Sequence, residues 1–218
     1  MTDTQLPCLI LGAGGHAKVV IDALRSVGRE IIGILTPDIE KGASFMGIPI
    51  LGDDKVINQY QADQILLING LGSLPGKDRR WFLADKYRGK NYQFGQVMHS
   101  NTSVSSDVLL SEGVQLMNGV IIQPSCKIGL DTIINTGSLI DHDCSIGSRC
   151  HIAPGVTLSG GVTIGDSVHI GTGVKVIQGV HIGNGTIVAA GTTVCKDILE
   201  NTLVRFKNEF VIENLKDI

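Results

Sequence analysis

The sequence predicts a small α/β domain followed by a parallel β-helix, and two patterns carry this prediction. From residue 104 to residue 194 an aliphatic residue recurs at every sixth position, sixteen times without a slip in register. A period of six fits neither an α-helix nor a hairpin sheet, but it is typical of hexapeptide β-helices. Before residue 98, short apolar segments alternate with segments of helical spacing, which favours a small parallel sheet. We therefore expect an α/β domain in residues 1–98 and an all-β domain in residues 99–218.

The first domain is expected to follow a Rossmann-like order of strands and helices. The apolar segments predict strands over residues 8–11, 30–35, 64–69 and 92–97, and helical spacing is found over residues 17–27, 54–60 and 78–87. A chain of 218 residues with 43% hydrophobic content is long enough to give two small domains a core each.

A glycine-rich turn, Gly-Ala-Gly-Gly-His at residues 12–16, joins the first strand to the first helix. Free N–H groups at the start of a helix suit a phosphate, so Gly14 and Gly15 could hold a nucleotide-linked sugar that His16 reaches. The run is a weak match to the NAD fingerprint because Lys18 stands where a third glycine is expected. A third interpretation is that the glycines only permit a tight turn.

The β-helix is expected to bury two columns of side chains. Four residues after each aliphatic position, a second column holds only Val, Cys, Thr, Ser and one Ile. The fourth position of the hexad is Gly nine times and Asp four times, which fits corners with positive φ. Three of the five cysteines, Cys126, Cys144 and Cys150, fall in the second column, so we expect core filler rather than disulfides or metal ligands.

The charge pattern narrows the possible partners. The net charge is −3 without a basic block, which argues against nucleic acid as a partner. No segment resembles a membrane span or a signal peptide, so we expect a cytoplasmic protein with no membrane partner.

The hexad pattern resembles the left-handed β-helix of the hexapeptide acyltransferases, in which three hexads form one coil of eighteen residues. Together with the glycine turn, the segment Asn-Thr-Gly-Ser-Leu-Ile-Asp-His-Asp-Cys at residues 135–144 resembles the bacterial sugar O- and N-acetyltransferases. That family includes UDP-4-amino-sugar N-acetyltransferases and sialic acid O-acetyltransferases, and the resemblance spans nearly the whole chain. It implies an acetyl-CoA-dependent acyltransferase that forms a homotrimer with sites between subunits. The implied acceptor is a nucleotide-linked or free amino sugar, or a sialic acid.

The resemblance also implies roles for individual residues. His142 takes the position of the general base and Asp143 that of its orienting carboxylate. The acceptor sugar is assigned to Gly14, Gly15, His16, Asp38, Asn135, Thr136 and His151. Acetyl-CoA is assigned to Gly160, Thr172 and Ala190. Asp38 is the single acidic residue where relatives have two or three, and Leu-Val-Arg-Phe-Lys at residues 203–207 replaces a common Gly-Val-Pro-Ala closure near CoA.

The hexad positions of these residues also indicate what their side chains can do. His142 is third in its hexad and outside both inward columns, so it is expected at the surface, where a neutral imidazole suits base catalysis near pH 7. Asp143 either orients that ring or serves only as a corner residue. One coil of eighteen residues places Gly160 over His142, leaving a notch in which a backbone N–H could stabilise an oxyanion.

The eighteen-residue coil also stacks an outward column that is unusual for a solvent-exposed edge: Ile133, His151, His169 and Ile187. We expect a second subunit to cover this column. Because no exposed Cys or Ser is expected beside His142, we also expect direct acetyl transfer in a ternary complex, with His151 as the next candidate base.

Two further function classes remain open at the level of sequence. A β-helical carbonic anhydrase would need three histidines converging on zinc, and the ligand spacing for such a site is absent. A non-catalytic sugar-binding scaffold would keep the fold without the chemistry.

Overall fold

The computed structural model describes residues 6–205 and confirms the predicted fold class, an α/β domain followed by a left-handed parallel β-helix. Phe206 and Lys207, which belong to the atypical closing segment, lie outside the described residues. The elements of the α/β domain are β1 (Cys8–Leu11), α1 (Gly15–Ser26), β2 (Ile31–Leu35), β3 (Ser44–Phe45), β4 (Ile48–Gly52), a 3₁₀ helix (Asp54–Gln59), β5 (Leu66–Asn69) and α2 (Arg79–Arg88). The boundary between residues 98 and 99 stays a prediction.

The sheet of the α/β domain has the strand order β3-β4-β2-β1-β5, with β1 at the centre of its parallel part. All four residues of β1 are buried, and alternate side chains point to opposite faces of a strand. Cys8 and Ile10 pack in the core that contains α1, whereas Leu9 and Leu11 pack in the core that contains α2. A continuous apolar strand is therefore what a sheet covered on both faces requires.

Two parts of this domain differ from the sequence prediction. The antiparallel pair β3 and β4 was not predicted: β3 has only two residues, which carry almost no periodic signal, and Pro49 interrupts the short apolar run of β4. The strand expected over residues 92–97 does not form as one unit. Phe94 makes a single parallel bridge to Leu67, while Val97–Met98 pairs with Gln115–Leu116 of the β-helix. The Tyr92 hydroxyl donates to the carbonyls of Ile57 and Tyr60, which holds this segment against the α/β core.

The β-helix consists of two-residue strands that stack into three parallel faces. Face 1 contains Ser103–Val104, Ile121–Ile122, Leu139–Ile140, Thr157–Leu158, Lys175–Val176 and Thr193–Val194. Face 2 contains Leu109–Leu110, Lys127–Ile128, Ser145–Ile146, Thr163–Ile164 and His181–Ile182. Face 3 contains Val97–Met98, Gln115–Leu116, Ile133–Ile134, His151–Ile152, His169–Ile170, Ile187–Val188 and Leu203–Val204. From Val104 to Val194, residues pair with partners eighteen positions away, as in Ile122 with Ile140, which confirms the predicted coil length.

The predicted corners largely form as expected. All nine glycines at the fourth hexad position have positive φ, between 64° and 76°. Among the four aspartates, Asp131 and Asp143 share this conformation, but Asp107 and Asp197 do not. These two instead accept backbone N–H groups from a neighbouring coil, Asp107 from Ser125 and Asp197 from His181, each at 2.8 Å.

The three inward cysteines are buried, which confirms their prediction as core filler. Their thiols also donate to carbonyls one coil away, Cys126 to Asp141 at 3.0 Å and Cys150 to Gly165 at 3.0 Å. The Thr132 hydroxyl makes the same kind of bond to the Gly147 carbonyl at 2.8 Å. The small column therefore tolerates a polar atom because the coil supplies a partner for it.

The α/β domain docks on the β-helix through α2. The Arg88 guanidinium forms a two-pronged contact with the Asp131 carboxylate, at 2.6 and 2.8 Å, and Asp131 is 1% exposed. Arg149 pairs with Asp85 one coil further along. Because the first pair is buried on the carboxylate side, removal of Arg88 would leave an unpaired buried charge.

The outward column of face 3 is covered by the chain's own α/β domain, so the expected subunit contact there is wrong for its first members. Ile133 is 0% exposed and His151 contacts the Ser73 carbonyl of the loop after β5. Further along, the same loop, Trp81 and the β-helix enclose a cavity that His169 and Ile187 line. Within residues 6–205 no helix is long and apolar enough to span a membrane.

Candidate active site

His142 lies on the corner between face 1 and face 2, after the strand Leu139–Ile140. Its side chain is 55% exposed, in agreement with its predicted outward position. The ring Nδ1 is 2.7 Å from an Asp143 carboxylate oxygen. Asp143 has φ of 59°, so it forms the left-handed corner and contacts the imidazole at the same time. The two interpretations of Asp143 are therefore compatible.

The polar neighbours of His142 determine the state of its ring. A carboxylate only accepts, so Nδ1 carries the proton and Nε2 keeps its lone pair in the neutral ring. The hydrogen bond to Asp143, and then the charge of Asp141, raise the pKa of His142 above its ordinary value. The Asp141 carboxylate also accepts the backbone N–H of His142 at 2.8 Å, which fixes the corner.

Gly160 lies directly over the imidazole, one coil from His142. A Cβ built on Gly160 would stand 2.6 Å from both Cε1 and Nε2 of the ring. The backbone N–H of Gly161 donates to the His142 carbonyl at 2.8 Å, which fixes this stacking. The Gly160 N–H donates to no other group within residues 6–205. The predicted notch exists, but the His142 ring packs directly against Gly160. Any side chain at position 160 would therefore clash with the imidazole.

His151 lies on face 3 in a different environment. Its Nδ1 is 2.9 Å from the Ser73 carbonyl and its Nε2 is 3.2 Å from Asn135 Nδ2. The carbonyl can only accept, so Nδ1 is the protonated nitrogen and the Asn135 amide donates to Nε2. Burial, followed by the charge of His169, lowers the pKa of His151 to about 4. Both ring nitrogens are engaged, which removes the ground for treating His151 as a second candidate base.

His16 is half-buried at the junction of the two domains. Its Nε2 is 2.7 Å from Gln115 Oε1, and the Gln115 amide donates to the Asn69 carbonyl at 2.9 Å. Burial, followed by the charge of Arg80, lowers the pKa of His16 to about 3. His16 is therefore neutral at physiological pH.

Sequence reasoning missed the residues that join these two histidines to the rest of the fold: Asn69, Ser73, Arg80 and Gln115. One signal was present in the sequence, because Gln115 is a polar residue in an otherwise apolar stretch of the face 3 column. A second signal was Asn69, which ends β5 as Leu11 ends β1, and ligands bind at the carboxyl ends of parallel strands.

The remaining predicted residues fall in two places. Gly14 and Gly15 are exposed at the start of α1, and Asp38 follows β2, where its backbone N–H donates to the Thr36 hydroxyl. Thr136, Thr172 and Ala190 lie on the corner between face 3 and face 1. Within one chain the structure therefore places His142 and Gly160 on one corner and the other predicted acetyl-CoA residues on another.

Cys144 is the thiol nearest to His142 in sequence, but it points into the core. It is 1% exposed and donates to the Ser159 carbonyl at 3.3 Å. Burial raises the pKa of Cys144 to about 12, so the side chain is a thiol and not a thiolate near neutral pH. Within residues 6–205, no three histidine, cysteine or acidic side chains are placed to hold a metal ion.

Two sequence families match the two halves of the chain. The family described as PglD N-terminal domain matches residues 8–79. The bacterial transferase hexapeptide family (six repeats) matches residues 125–160 and 161–196. None of the curated proteins is a significant match by sequence.

Several solved structures resemble the whole chain. A histidine-to-asparagine variant of perosamine N-acetyltransferase from Caulobacter crescentus, in complex with CoA and GDP-perosamine, is 37% identical with a TM-score of 0.82, and the match covers 90% of this chain and 92% of that one. The acetyltransferase domain of PglB from Neisseria gonorrhoeae, in complex with acetyl coenzyme A, is 27% identical with a TM-score of 0.82, covering 90% and 94%. WeeI from Acinetobacter baumannii is 25% identical with a TM-score of 0.79, covering 92% and 97%.

Proposed function

Because the chain belongs to the bacterial sugar acetyltransferases that join a PglD N-terminal domain to hexapeptide repeats, we propose that it transfers acetyl from acetyl-CoA to the amino group of a nucleotide-linked sugar. The observation that carries the proposal is the exposed His142–Asp143 pair beneath the Gly160 notch. A base, its orienting carboxylate and a backbone donor meet there at the surface, where two substrates can reach them.

His142 acts as the general base in this proposal. Since Asp143 holds the proton on Nδ1, the Nε2 lone pair is free to take a proton from the attacking amine. The amine nitrogen bonds to the thioester carbon, and the C–S bond then breaks. The imidazolium returns the proton to the departing CoA sulfur, while Asp143 stabilises the charged ring in between.

Gly160 supplies the second part of the chemistry. Gly160 stacks against the imidazole and its backbone N–H has no partner within residues 6–205, so in this proposal that N–H is the donor that stabilises the negative charge developing on the acetyl oxygen. Direct transfer fits the surroundings, because the buried Cys144 thiol is not available as a nucleophile. We therefore retain a ternary complex without an acetyl-enzyme.

A complete acetyl-CoA site is proposed to need more than one chain. Thr172 and Ala190 lie in later coils on the corner between face 3 and face 1, whereas His142 lies on the corner between face 1 and face 2, so the width of face 1 separates them. A homotrimer would bring the His142 corner of one subunit towards the Thr172 corner of its neighbour. The corner geometry supports this arrangement and takes the place of the subunit contact first expected on face 3.

The acceptor is proposed to bind at the glycine turn of the α/β domain. The exposed Gly14 and Gly15 open α1, whose N-terminus has no side-chain cap and so leaves N–H groups for phosphate oxygens. Asp38 follows the adjacent strand β2, and Asn135 and Thr136 are the β-helix residues proposed to contact the acceptor, with His151 holding the Asn135 amide in place. GDP-perosamine is the first acceptor to test, because a relative 37% identical to this chain was crystallised with it.

The test is release of free CoA thiol when the purified protein is given acetyl-CoA and GDP-perosamine, with mass spectrometry of the sugar product. We expect one added acetyl group, on nitrogen, and intersecting double-reciprocal plots. A panel of other nucleotide-linked amino sugars and sialic acids serves as comparison. Acetylation of sialic acid alone would move the acceptor to a hydroxyl, and absence of turnover with every sugar would leave only a sugar-binding role.

A further inference from the structure

Gln115 occupies the centre of the buried junction between the two domains. It is 1% exposed and stands on face 3 directly before Ile133 in the outward column. Its amide nitrogen is 2.9 Å from the Asn69 carbonyl and its amide oxygen is 2.7 Å from His16 Nε2. The side chain therefore links the β-helix to the strand end of β5 and to the first turn of α1.

The orientation of this amide follows from its surroundings. A backbone carbonyl can only accept, so the Gln115 atom that faces Asn69 must be the NH₂ group. The oxygen is then directed at His16, and an oxygen requires a donor opposite it. His16 consequently carries its proton on Nε2, and Nδ1 is left with a lone pair.

The same carbonyl is held from a second side. Arg80, which is 1% exposed, donates through Nη1 to the Asn69 carbonyl at 3.0 Å, and the Asn69 side-chain amide donates back to the Arg80 carbonyl at 3.0 Å. The Asn69 carbonyl thus has both lone pairs directed at fixed donors. The guanidinium is a buried cation close to His16, which opposes protonation of the ring.

We propose that Gln115 is a positioning residue that holds His16 in the Nε2–H form, so that Nδ1 accepts a hydrogen bond from a hydroxyl or N–H group of the bound nucleotide sugar. The inference rests on the proposed function for the identity of that ligand. His16 directly follows the exposed Gly14 and Gly15, and its Nδ1 makes no hydrogen bond within residues 6–205.

At the glycine turn, the backbone N–H groups and His16 therefore bind different parts of the ligand. Phosphate oxygens are acceptors, and a ring that offers only a lone pair cannot bind them. The backbone N–H groups at the start of α1 are the donors that suit phosphate, whereas His16 selects a donor group elsewhere on the ligand. A neutral histidine protonated on Nδ1 would instead donate to the ligand, and it would select an acceptor group.

The first test reads the ring directly and does not depend on turnover. In protein labelled with ¹⁵N at histidine, long-range ¹H–¹⁵N correlation at pH 7 is expected to show His16 with a protonated Nε2 and an unprotonated Nδ1. Because the Nε2–H is bonded to the buried Gln115 side chain, it should also exchange slowly with solvent and be visible. An Nδ1–H ring, or an imidazolium, would overturn the proposal whatever reaction the protein performs.

The second test uses two substitutions of similar size. Gln115→Met removes the acceptor, and we expect loss of the Nε2–H signal and about tenfold weaker binding of GDP-perosamine by calorimetry, the effect of one hydrogen bond worth ~1.4 kcal/mol. Gln115→Glu keeps the size of the side chain but places a carboxylate opposite His16, which favours the imidazolium; Nδ1 then carries a proton, so we expect this variant also to bind GDP-perosamine about tenfold more weakly. Unchanged affinity in Gln115→Met would contradict the proposal. If that variant does not fold, the wild-type ring state and Gln115→Glu still decide it.

GDP alone locates the donor on the ligand. If Gln115→Met weakens GDP and GDP-perosamine equally, the donor belongs to the nucleoside. If only GDP-perosamine is weakened, the donor belongs to the sugar. Each result supports the assignment of Nδ1 as an acceptor, whereas a weaker affinity for inorganic phosphate alone would place the anion on His16 and overturn it.

Discussion

The corner at His142 and the domain junction at His151 contain the same side chain in opposite circumstances. His142 is exposed, contacts a carboxylate and has a raised pKa. His151 is largely buried, has both nitrogens engaged and has a pKa lowered to about 4. Both residues lie outside the inward columns of the hexad repeat. The difference shows that a position on the outside of a β-helix does not by itself make a histidine available for chemistry.

The cause of the difference is the α/β domain. It covers the outer surface of face 3 through the loop after β5, and it leaves the corner between face 1 and face 2 uncovered. A general base needs a nitrogen lone pair that the substrate can reach and a pKa near the working pH, and only the uncovered corner provides both.

The largest expected effect separates the two histidines by activity. We expect His142→Ala to lower kcat by about 10²- to 10⁴-fold, the usual range for loss of a general base, with little change in the affinity for acetyl-CoA. Steady-state kinetics with the acceptor found above and calorimetry with acetyl-CoA measure the two quantities. Near-normal turnover in this variant would place the base elsewhere and remove the contrast between the two regions.

A substitution at Gly160 tests whether the space over the His142 ring is needed for acetyl-CoA binding and turnover. Gly160→Val would drive its Cβ into the imidazole, so the ring must rotate away from Asp143, and its methyl groups would occupy the notch. We expect loss of acetyl-CoA binding and a fall of about 10²-fold in turnover, as for other small displacements of a catalytic group, with a melting temperature within a few degrees of wild type.

The matched control for Gly160→Val is Gln178→Val, one coil further on the same corner, where an exposed side chain already exists. We expect this variant to bind acetyl-CoA and turn over nearly as the wild type does. Equal losses at the two positions would show that the cofactor contact is not specific to the coil above His142.

The substitution His151→Leu is expected to change turnover least, and its main effect is on the free energy of unfolding. His151→Leu would leave the Ser73 carbonyl and the Asn135 amide without their partner, at a cost of ~1–3 kcal/mol in the free energy of unfolding. Chemical denaturation measures this cost, and His181→Leu on the exposed side of face 2 is the control that should change little. A loss of turnover as large as that of His142→Ala would contradict the structural role of His151.

The pH dependence of stability follows from the same lowered pKa. Between pH 6.5 and about 4 the unfolded chain protonates His151 while the folded chain does not, so stability falls as pH falls through this window. His16, with a pKa of about 3, contributes in the same direction. The melting temperature of His151→Leu should therefore decline less steeply than that of the wild type between pH 6.5 and 4.5.

The β-helix was predictable from sequence because its order is local and repeated. The coil length, the two inward columns and the position of Gly160 over His142 all follow from counting residues along one chain segment. The docking of the two domains was not predictable in this way. Contacts such as His16 with Gln115 join residues 99 positions apart, and no periodic pattern specifies them. The hexad pattern therefore points to another subunit as the cover over Ile133, although the chain itself provides it.

The fixed residue spacing of the coils also sets the distance along the β-helix between the docked α/β domain and the base. Gln115 sets the level at which the α/β domain attaches, and His142 follows it by 27 residues, or one and a half coils. Each added coil of eighteen residues would raise the base by about 4.8 Å, the spacing between neighbouring strands, while every corner kept its own neighbours. The reach between a docked acceptor and the base therefore depends on the number of coils between Gln115 and His142, and insertions of three hexads would alter this reach while keeping the register of the corners.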